Sequence, residues 1–460
     1  MDKQFFAGKN VLVMGLGRFG GGVDVAKFAA GAGAKVVVTD MASAEQLQSS
    51  IKQLEEFGNI EYHLGSHDEA DFKGADVVVV NPAVPPDNKF VKIAKEHKKI
   101  IASQIGIFFQ LCPAVTIGIT GANGKSTTAT LTAHLLRATR DEKVWLSGNI
   151  GNEPLLTTLK QIKSDDLVVL ELSSFQIEQL AEIGTGPGVA LLTNLTPNHL
   201  DRYGTFAKYC DAKENIFEFQ KRNGSRPAIS IFNAEDKIAA EWFEKYQGDT
   251  NRVCVKFSAD DVSEEIRTSY PLPGRANLSN LAAALCVVRH FGAVDGQIIK
   301  ALPGFKGLAH RLEFVAEIKG VKWYNDSKAT TPISAIAAIE AFEKPVIIIA
   351  GGYDKHIPFD EFGKKIAEKA KAAILLGQTA PKIADVICKT AEDAIWNTKL
   401  RRYMFLEIVD SLAKAVGLAK KLAVRGDVVV LSPACASYDM FGNYEQRGNE
   451  FCRLVRETND

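Results

Sequence analysis

The chain has 460 residues, of which 46% are apolar and 24% charged, with 55 basic and 55 acidic residues. That length predicts two or three domains, and the balanced charge excludes the broad basic surface typical of nucleic-acid-binding proteins. Seven scattered cysteines without a C-x-x-C spacing, and no apolar run long enough to cross a bilayer, favour a cytoplasmic enzyme without disulfides, zinc ribbons or membrane insertion.

Residues 1–112 have the pattern of a dinucleotide-binding domain. A predicted strand at residues 10–14 runs into a G-x-G-x-x-G turn, and a second strand ends at Asp40. Such a turn can hold a pyrophosphate while the acid binds a ribose, so NAD and a uridine diphosphate group both fit. A third strand ends at Asn81, in a proline-rich loop that either lines this crevice or is only a stiffened turn. The candidate ligand-binding residues are Gly15, Gly17, Arg18, Phe19, Asp40 and Asn81.

Residues 115–128 carry the most informative motif, a strand that leads into Thr-Gly-Ala-Asn-Gly-Lys-Ser-Thr and then a helix over about residues 126–136. Gly121 and Gly124 allow main-chain N–H groups to face inward, and the helix start adds a positive dipole end. Lys125 can reach the β- and γ-phosphates, and Ser126 can ligate Mg²⁺. A plain strand-to-helix turn would not explain Lys125 beside Ser126, so the motif predicts nucleotide binding. The candidate residues are Gly121, Asn123, Gly124, Lys125, Ser126 and Thr127.

Two polar residues follow the next apolar strands of residues 113–305. Glu171 ends one strand, where a carboxylate is costly to bury unless it is paired or bound to a metal, and it suits Mg²⁺. His199 lies in a loop after another strand, which we expect to open at the same sheet edge as the phosphate loop. A single histidine is more often structural than catalytic, but this placement favours a role at the site.

Three other residues carry weaker signals. Lys213 lies in a helix predicted over residues 205–219, and its sequence context alone is that of a solvated surface lysine. Asn149 is flanked by glycines in a loop that is favoured as a mere turn. Asn277 could cap a helix rich in Ala and Leu, and Asn280, one turn later, could donate to a base.

Residues 306–460 repeat the pattern of strands that end in polar loops. Strands at residues 314–318 and 321–324 form a predicted hairpin that turns at Lys319 and Gly320, and Pro332 begins a helix. Further strands are predicted at residues 346–350, 373–377 and 427–431, with a last helix near Glu445. We therefore predict an α/β protein of three domains, 1–112, 113–305 and 306–460, each an open, mostly parallel sheet flanked by helices. The first and third are Rossmann-like, and the central one is of the phosphate-loop ATPase type.

Together these motifs resemble the Mur ligase family, the ATP-dependent enzymes that add amino acids to the peptidoglycan precursor. The phosphate loop is typical of the whole family. Three further motifs are similar to its D-glutamate-adding members: His310-Arg311, Asn-Asp-Ser-Lys-Ala-Thr at 325–330, and Leu-Ser-Pro-Ala-Cys-Ala-Ser at 431–437 with 441–448. The resemblance implies addition of D-glutamate to UDP-N-acetylmuramoyl-L-alanine, by a monomer that acts on small molecules.

The resemblance also implies roles for individual residues. ATP and two Mg²⁺ ions are expected, with Ser126, Glu171, His199 and a carbamylated Lys213 as metal ligands; Lys125, His199 and Lys213 are the candidate catalytic residues. Further ATP contacts are implied for Asn280, Arg311 and Asp326. Binding of D-glutamate is implied for Lys328, Thr330, Lys355, Ser437 and Tyr444. Asn149 joins the residues of the first domain as a contact to the UDP-linked substrate, so NAD is not needed.

Three alternatives remain open from the sequence. One is a Mur-type ligase with a different amino acid or a folate-type acceptor. A second is an NAD-dependent oxidoreductase that rests on the glycine turn and Asp40, although this leaves the Lys125 loop unexplained. A third is a nucleotide-regulated binding protein that binds ATP without catalysis.

Overall fold

A computed structural model describes residues 3–18, 20–150, 154–222, 227–396 and 404–457, with the side chains of 391–396 excepted. The chain divides into two compact units, Met1–Asp261 with Asn280–Ile298, and Val262–Ser279 with Ile299–Asp460. Three sheets flanked by helices confirm the predicted α/β class. The domain boundaries after residues 112 and 305 stay predictions. In the described ranges, every helix is too short or too polar to cross a lipid bilayer.

The first sheet has five parallel strands in the order β3-β2-β1-β4-β5. Its central strands are valine-rich and mostly buried, as expected for a parallel sheet that is covered on both faces. The chain order reverses between β1 and β4, and such a switch point opens a crevice at the carboxyl ends. The elements are β1 Asn10–Met14, α1 Gly21–Gly31, β2 Lys35–Asp40, α2 Gln48–Lys52, β3 Ile60–Leu64, α3 Glu69–Gly74, β4 Val77–Val80, α4 Lys89–Glu96, β5 Ile100–Ala102 and α5 Gln104–Leu111.

The second sheet has six parallel strands in the order β11-β10-β9-β6-β8-β7. The phosphate loop follows β6, which lies between β9 and β8, so the ends of three adjacent strands meet at one edge. The elements are β6 Val115–Thr120, α6 Lys125–Thr139, β7 Val144–Gly148, β8 Leu167–Glu171, α7 Ser174–Glu182, β9 Val189–Leu192, α8 Leu200–Tyr203, α9 Phe206–Glu218, β10 Ala228–Asn233, α10 Lys237–Tyr246, β11 Arg252–Phe257, α11 Glu264–Ser269, α12 Arg275–His290 and α13 Asp295–Ala301.

The third sheet has six strands in the order β12-β13-β17-β14-β15-β16, parallel except for the hairpin of β12 and β13. Lys319 and Gly320 have φ of 53° and 76°, which fits the tight hairpin turn that the sequence predicts. The elements are β12 Glu313–Ile318, β13 Val321–Asn325, α14 Pro332–Glu340, β14 Val346–Ala350, α15 Asp360–Lys369, β15 Ala370–Leu375, α16 Ala380–Trp396, β16 Phe405–Ile408, α17 Leu412–Leu422, β17 Val428–Leu431 and α18 Tyr444–Arg456.

One buried carboxylate joins the first two sheets, which belong to the same unit. Asp24 on α1 accepts hydrogen bonds from the main-chain N–H groups of Leu156 and Thr157 at 2.8 and 3.0 Å, and from Gln104 Nε2. A single apolar core, which includes Phe28 and Leu156, continues around this contact. The segment that follows β7 is therefore anchored on the first helix of the chain.

Candidate active site

The phosphate loop has the glycine-dependent geometry that its sequence predicts. Gly121 and Gly124 have φ of 146° and 81°, and Gly124 precedes α6 directly. A Cβ atom on Gly121 would lie 2.0 Å from Thr193 Oγ1, and one on Gly124 would lie 2.2 Å from Asn280 Oδ1. Lys125 Nζ donates to the carbonyls of Gly121 and Ala122 at 3.0 and 2.8 Å, so its side chain lies along its own loop.

The loop is held in place by residues that follow the neighbouring strand β9. Thr193 Oγ1 donates to the Asn123 carbonyl at 2.6 Å, and Asn194 Oδ1 accepts from the Asn123 N–H at 2.9 Å. The Asn194 carbonyl also accepts from the N–H of Ala122. Asn123 is a site residue predicted from the sequence, whereas Thr193 and Asn194 are not. The only sequence signal is that they are a polar pair directly after an apolar strand.

The first turn of α6 packs against Asn280. Ser126 and Thr127 are buried, and Thr128 Oγ1 donates to Asn280 Oδ1 at 3.3 Å. Asn280, predicted as a contact to the base, therefore lies against the phosphate loop. The prediction of a helix cap at Asn277 is wrong, because α12 already begins at Arg275 and Asn277 Nδ2 donates to the Pro273 carbonyl.

Glu171 supplies a buried carboxylate beside the phosphate loop. It pairs in register with Ile119 at the end of β6, and its side chain is only 3% exposed. Its Oε1 accepts from Asn149 Nδ2 at 2.9 Å, whereas Oε2 is buried and has no hydrogen-bond partner in the described part of the chain. A buried carboxylate oxygen requires a partner, and Mg²⁺ prefers oxygen ligands, so Glu171 fits the predicted metal site. Asn149, which sequence analysis assigned to another ligand, is thus a neighbour of Glu171.

Lys213 is only 2% exposed, so its interpretation as a surface lysine from sequence context is wrong. It lies on the inner face of α9, and its Nζ donates at 3.1 Å to Thr120 Oγ1, at the end of β6. Burial lowers the pKa of Lys213 well below its usual range, and the positive charge of Lys125 lowers it further, although Glu171 opposes both effects. The neutral amine is therefore favoured, and a neutral amine is nucleophilic.

His199 lies in the loop between β9 and α8, in the left-handed conformation with φ of 52°. Its ring contacts Phe175 and Tyr209, with centroid distances of 5.1 and 6.3 Å. Partial burial lowers the pKa of His199; the carboxylate of Asp201 opposes this shift, and the positive charge of Lys125 adds to it. A neutral imidazole can bind a metal or accept a proton, and His199 lies within electrostatic reach of both lysines.

These donors fit Mg²⁺ only together with ligands from outside the chain. Among the described residues, no group of three or more His, Cys, Asp and Glu side chains is arranged to hold a metal ion. Mg²⁺ keeps several waters and commonly binds one or two carboxylates plus substrate phosphates. Glu171 and the Ser126 hydroxyl are consistent with that kind of site.

The crevice of the first sheet gathers most of the predicted substrate residues. Gly15 and Gly17 have φ of 91° and 64°. The carboxylate of Asp40 accepts from the N–H groups of Gly17 and Ala42 at 3.1 and 2.9 Å, so it braces the turn. Asn81 Nδ2 donates to the Gly15 carbonyl. Arg18 is exposed, and the predicted contact at Phe19 lies outside the described residues.

In the other unit, the buried Asp326 follows β13. Ser432 Oγ donates to Asp326 Oδ2 at 2.8 Å, and the Leu312 N–H donates to Oδ1 at 3.1 Å. Burial nevertheless raises the pKa of Asp326 to about 7, while the nearby Arg311 partly offsets that effect. This brings together two of the predicted ATP contacts, Arg311 and Asp326.

The predicted D-glutamate residues lie in loops after adjacent strands of the third sheet. Lys328 follows β13, Ser437 follows β17 and Lys355 follows β14. Lys328 Nζ lies 5.2 Å from the ring centroid of Tyr444, at the start of α18. Ser437 is buried, whereas Lys328 and Lys355 are exposed and Thr330 is half-buried.

Sequence analysis missed Arg447, which joins two of these loops. Its guanidinium is 2% exposed and donates to Ser327 Oγ at 3.0 Å. It also donates to the carbonyls of Ser327, Cys435 and Ala436 at 2.9 to 3.2 Å. Its position within the motif at 441–448 gave no indication of burial.

Comparisons with known proteins agree with this arrangement. Three family descriptions match the chain: "Mur ligase MurD-like, N-terminal domain" over residues 9–103, "Mur ligase middle domain" over 119–288, and "Mur ligase, glutamate ligase domain" over 310–435. UDP-N-acetylmuramoylalanine–D-glutamate ligases from Clostridium botulinum (strain Kyoto / Type A2) and Roseiflexus sp. (strain RS-1) are 39% and 37% identical to it. Each alignment covers 98% of this chain and 98% of the relative.

Solved structures show the same fold at lower sequence identity. The UDP-N-acetylmuramate–alanine ligase from Thermotoga maritima is 19% identical with a TM-score of 0.56, over 97% of this chain and 98% of that one. A pseudomurein peptide ligase type C from Methanothermus fervidus is 17% identical with a TM-score of 0.51, over 92% and 96%. With its three matched regions and its near-full-length relatives, this chain belongs to the Mur ligase family.

Proposed function

We propose that this protein ligates D-glutamate to UDP-N-acetylmuramoyl-L-alanine, with conversion of ATP to ADP and phosphate, in peptidoglycan precursor synthesis. The observation that carries this proposal is the near-full-length similarity to curated ligases of that name, at 37–39% identity. The buried Lys213 and Glu171 beside the phosphate loop support an active site there, because burial of two ionisable side chains is costly unless a ligand or a reaction uses them.

In this proposal, residues 1–112 hold the UDP end of the substrate. The turn at Gly15 and Gly17 suits a pyrophosphate, since glycines with positive φ let a ligand approach the main chain closely before the start of α1. The proposed contacts are Gly15, Gly17, Arg18, Phe19, Asp40, Asn81 and Asn149.

Residues 113–305 would hold ATP and activate the substrate carboxylate. That carboxylate attacks the γ-phosphorus, the bond to ADP breaks, and an acyl phosphate forms. Lys125 stabilises the charge that develops on the phosphoryl oxygens, and its loop donates main-chain N–H groups to them. Gly121, Asn123, Gly124, Ser126, Thr127 and Asn280 are the other proposed ATP-binding residues of this part of the chain.

The proposed metal ligands are Ser126 and Glu171 for one Mg²⁺, and His199 and Lys213 for a second. When bound, Mg²⁺ neutralises charge on the phosphate oxygens. Lys213 would bind as a carbamate: its neutral Nζ attacks CO₂, a nitrogen–carbon bond forms and the proton goes to solvent. The buried position and lowered pKa of Lys213 support this step, because the ammonium form cannot react.

Residues 306–460 would bind D-glutamate through Lys328, Thr330, Lys355, Ser437 and Tyr444, and would contact ATP through Arg311 and Asp326. The D-glutamate amine attacks the acyl carbon, and phosphate leaves with the oxygen that the substrate carboxylate contributed. The amine must lose a proton, and a neutral His199 would accept it only in a state in which its imidazole is not bound to Mg²⁺. We further propose that the enzyme is a cytoplasmic monomer.

The test is phosphate release from ATP in the presence of UDP-N-acetylmuramoyl-L-alanine, Mg²⁺ and bicarbonate, with a panel of amino acids. We expect release with D-glutamate and none with L-glutamate, L-lysine or meso-diaminopimelate. Release with another amino acid alone would keep the ligase chemistry and overturn the proposed acceptor. No release with any of them would leave a binding protein without catalysis.

Lys125→Ala probes the same proposal at the phosphate loop. We expect turnover to fall by at least about 100-fold, because the charge that develops during phosphoryl transfer loses a major stabiliser. Circular dichroism should show an unchanged fold. Near-normal turnover in this variant would contradict the assignment of the phosphate loop.

A further inference from the structure

Arg202 occupies an unusual position for a residue with no assigned role. It lies on α8, three residues after His199. Its Nη1 donates to the carbonyls of Pro82 and Ala83, both at 3.2 Å. Its guanidinium carbon lies 4.1 Å from the centroid of the Phe175 ring. Its Nη2 lies 3.4 Å from Glu178 Oε2. Together, the two carbonyls, the ring and the carboxylate fix the plane of the guanidinium.

One end of this contact set belongs to the proposed UDP crevice. Pro82 and Ala83 follow Asn81, whose Oδ1 accepts from the Ala83 N–H at 3.0 Å and whose Nδ2 donates to Gly15. The carbonyls that Arg202 holds are therefore part of the turn that contacts the glycine loop. A second bond, from Gln179 Nε2 to the Val80 carbonyl at 3.1 Å, ties the end of β4 to α7.

The other end belongs to the proposed reacting centre. The Phe175 ring contacts the guanidinium of Arg202 and also the imidazole of His199, at a centroid distance of 5.1 Å. Phe175 lies in the first turn of α7, which begins three residues after Glu171. Arg202 and Phe175 thus link the Asn81 turn to the His199 loop and to the helix that follows Glu171.

We propose that Arg202 is a positioning residue that couples binding of the UDP end of the substrate to the geometry of the His199 loop. This inference rests on the proposed function, since it requires the two loops to serve one substrate. Arg202 itself contacts neither reacting group. It acts through two main-chain carbonyls and one aromatic face, a combination that suits a planar guanidinium and not a flexible ammonium.

The experiment is calorimetric titration of the full-length protein with UDP-N-acetylmuramoyl-L-alanine, with a non-hydrolysable ATP analogue plus Mg²⁺, and with each in the presence of the other. Coupling between sites is reciprocal, so in the wild type each ligand should tighten the other by about 10-fold. In Arg202→Met, each ligand alone should bind within about threefold of the wild type, and the mutual tightening should disappear. In turnover assays with D-glutamate and a saturating amount of the UDP-linked substrate, kcat should fall by about 10- to 100-fold, and KM for ATP should rise by about 10-fold because the mutual tightening is lost.

Arg252→Met is the matched control. Arg252, on β11, donates to the Phe217 carbonyl at 3.0 Å and to Asp249, and it lies 4.6 Å from the centroid of the Tyr246 ring. This variant therefore loses the same kinds of contact as Arg202→Met, on an edge strand of the second sheet. We expect a lower unfolding temperature with full mutual tightening of the two ligands.

The inference would be overturned by mutual tightening in Arg202→Met equal to that of the wild type, or by a wild type in which the ligands bind independently. Loss of tightening in both Arg202→Met and Arg252→Met would also overturn it, because general destabilisation would then explain the effect. A wild type that binds neither ligand would instead contradict the proposed function, and this inference with it.

Discussion

Burial of Lys213 lowers the stability of the folded protein, and the same lysine has a proposed role in catalysis. In the unfolded chain its amine is protonated at neutral pH, whereas burial favours the neutral form in the folded protein. The folded state therefore binds this proton less tightly than the unfolded chain does, and the associated cost grows as pH falls below the ordinary lysine pKa. Lys213→Met removes the cost and keeps the apolar stem. In CO₂-free buffer, this variant should have a higher denaturant midpoint, with a larger gain near pH 6 than near pH 9.

The same substitution should lower ligase turnover by at least about 100-fold, because the proposed anionic ligand is lost. Lys208→Met is a control on the same helix, since Lys208 is exposed, and it should change neither quantity. A Lys213→Met enzyme with normal turnover would remove Lys213 from the mechanism. A midpoint gain that did not depend on pH would contradict the buried neutral amine.

Asp326 should make the stability of the protein fall as pH rises, which is the opposite of the trend expected for Lys213. Its pKa of about 7 in the folded protein lies above the ordinary value, so the folded state binds this proton more tightly than the unfolded state. The contribution to stability therefore falls as pH rises from about 4 to about 7. Asp326→Asn removes this titration, so its gain in denaturant midpoint should be larger near pH 8 than near pH 5. Asp385→Asn is the control, because Asp385 is exposed. An equal trend in both variants would refute the assignment to Asp326.

At the residue scale, the sequence predicts what depends on local spacing. Gly121, Gly124 and Lys125 lie within one short loop, and their roles follow from conformational and charge requirements alone. The burial of Lys213 does not, because its partner Thr120 lies 93 residues away and a lysine on an amphipathic helix is ordinarily solvated. Only the resemblance to a family raised Lys213 to a candidate.

At the scale of elements, the turn before α6 is sensitive to substitution. Gly124 has φ of 81°, and an added Cβ would lie 2.2 Å from Asn280 Oδ1. Gly124→Ala should therefore lower the free energy of unfolding by at least about 1 kcal/mol, and it should weaken ATP binding by displacing the start of α6. Gly417→Ala is the control: Gly417 is inside α17 with open space around it, so alanine should stabilise by about 0.5–1 kcal/mol. Equal effects of the two variants would contradict this account.

The elements that the sequence predicts well are those with a strong local signal. The hairpin at Lys319 and Gly320 and the start of α14 at Pro332 agree with the structure. The strand β7, Val144–Gly148, was missed, since its short apolar run merges with the glycine-flanked loop at Asn149. The strand β16, Phe405–Ile408, has only four residues and is mostly exposed at the edge of its sheet. Such strands are defined by their pairing partners, which a local sequence pattern does not show.

At the scale of the whole molecule, single buried side chains hold loops that are distant in sequence. Asp24 accepts a hydrogen bond from Leu156, 132 residues later in the chain, and Arg447 donates one to Ser327, 120 residues earlier. Both residues lie on helices, where charged side chains are usually solvated. The sequence therefore predicts three α/β domains and the loops that carry chemistry, but not the contacts that fix those loops in place.

The proposed reaction transfers one oxygen of the substrate carboxylate to the released phosphate. An oxygen isotope can follow that transfer. If the carboxylate of UDP-N-acetylmuramoyl-L-alanine carries a heavy oxygen isotope at both positions, one labelled oxygen attacks the γ-phosphorus. It stays on the phosphate when the D-glutamate amine displaces it, so each inorganic phosphate released should carry one labelled oxygen and the amide product should keep the other. Mass spectrometry of both products measures this.

A control reaction in labelled water with an unlabelled substrate should give unlabelled phosphate, because water takes no part in an amide-forming turnover. Two results would refute the acyl-phosphate route. Unlabelled phosphate from the labelled substrate would mean that ATP hydrolysis is separate from activation of the carboxylate. Labelled AMP together with pyrophosphate would mean that the carboxylate attacks the α-phosphorus, and the placement of Lys125 at the β- and γ-phosphates would then be wrong.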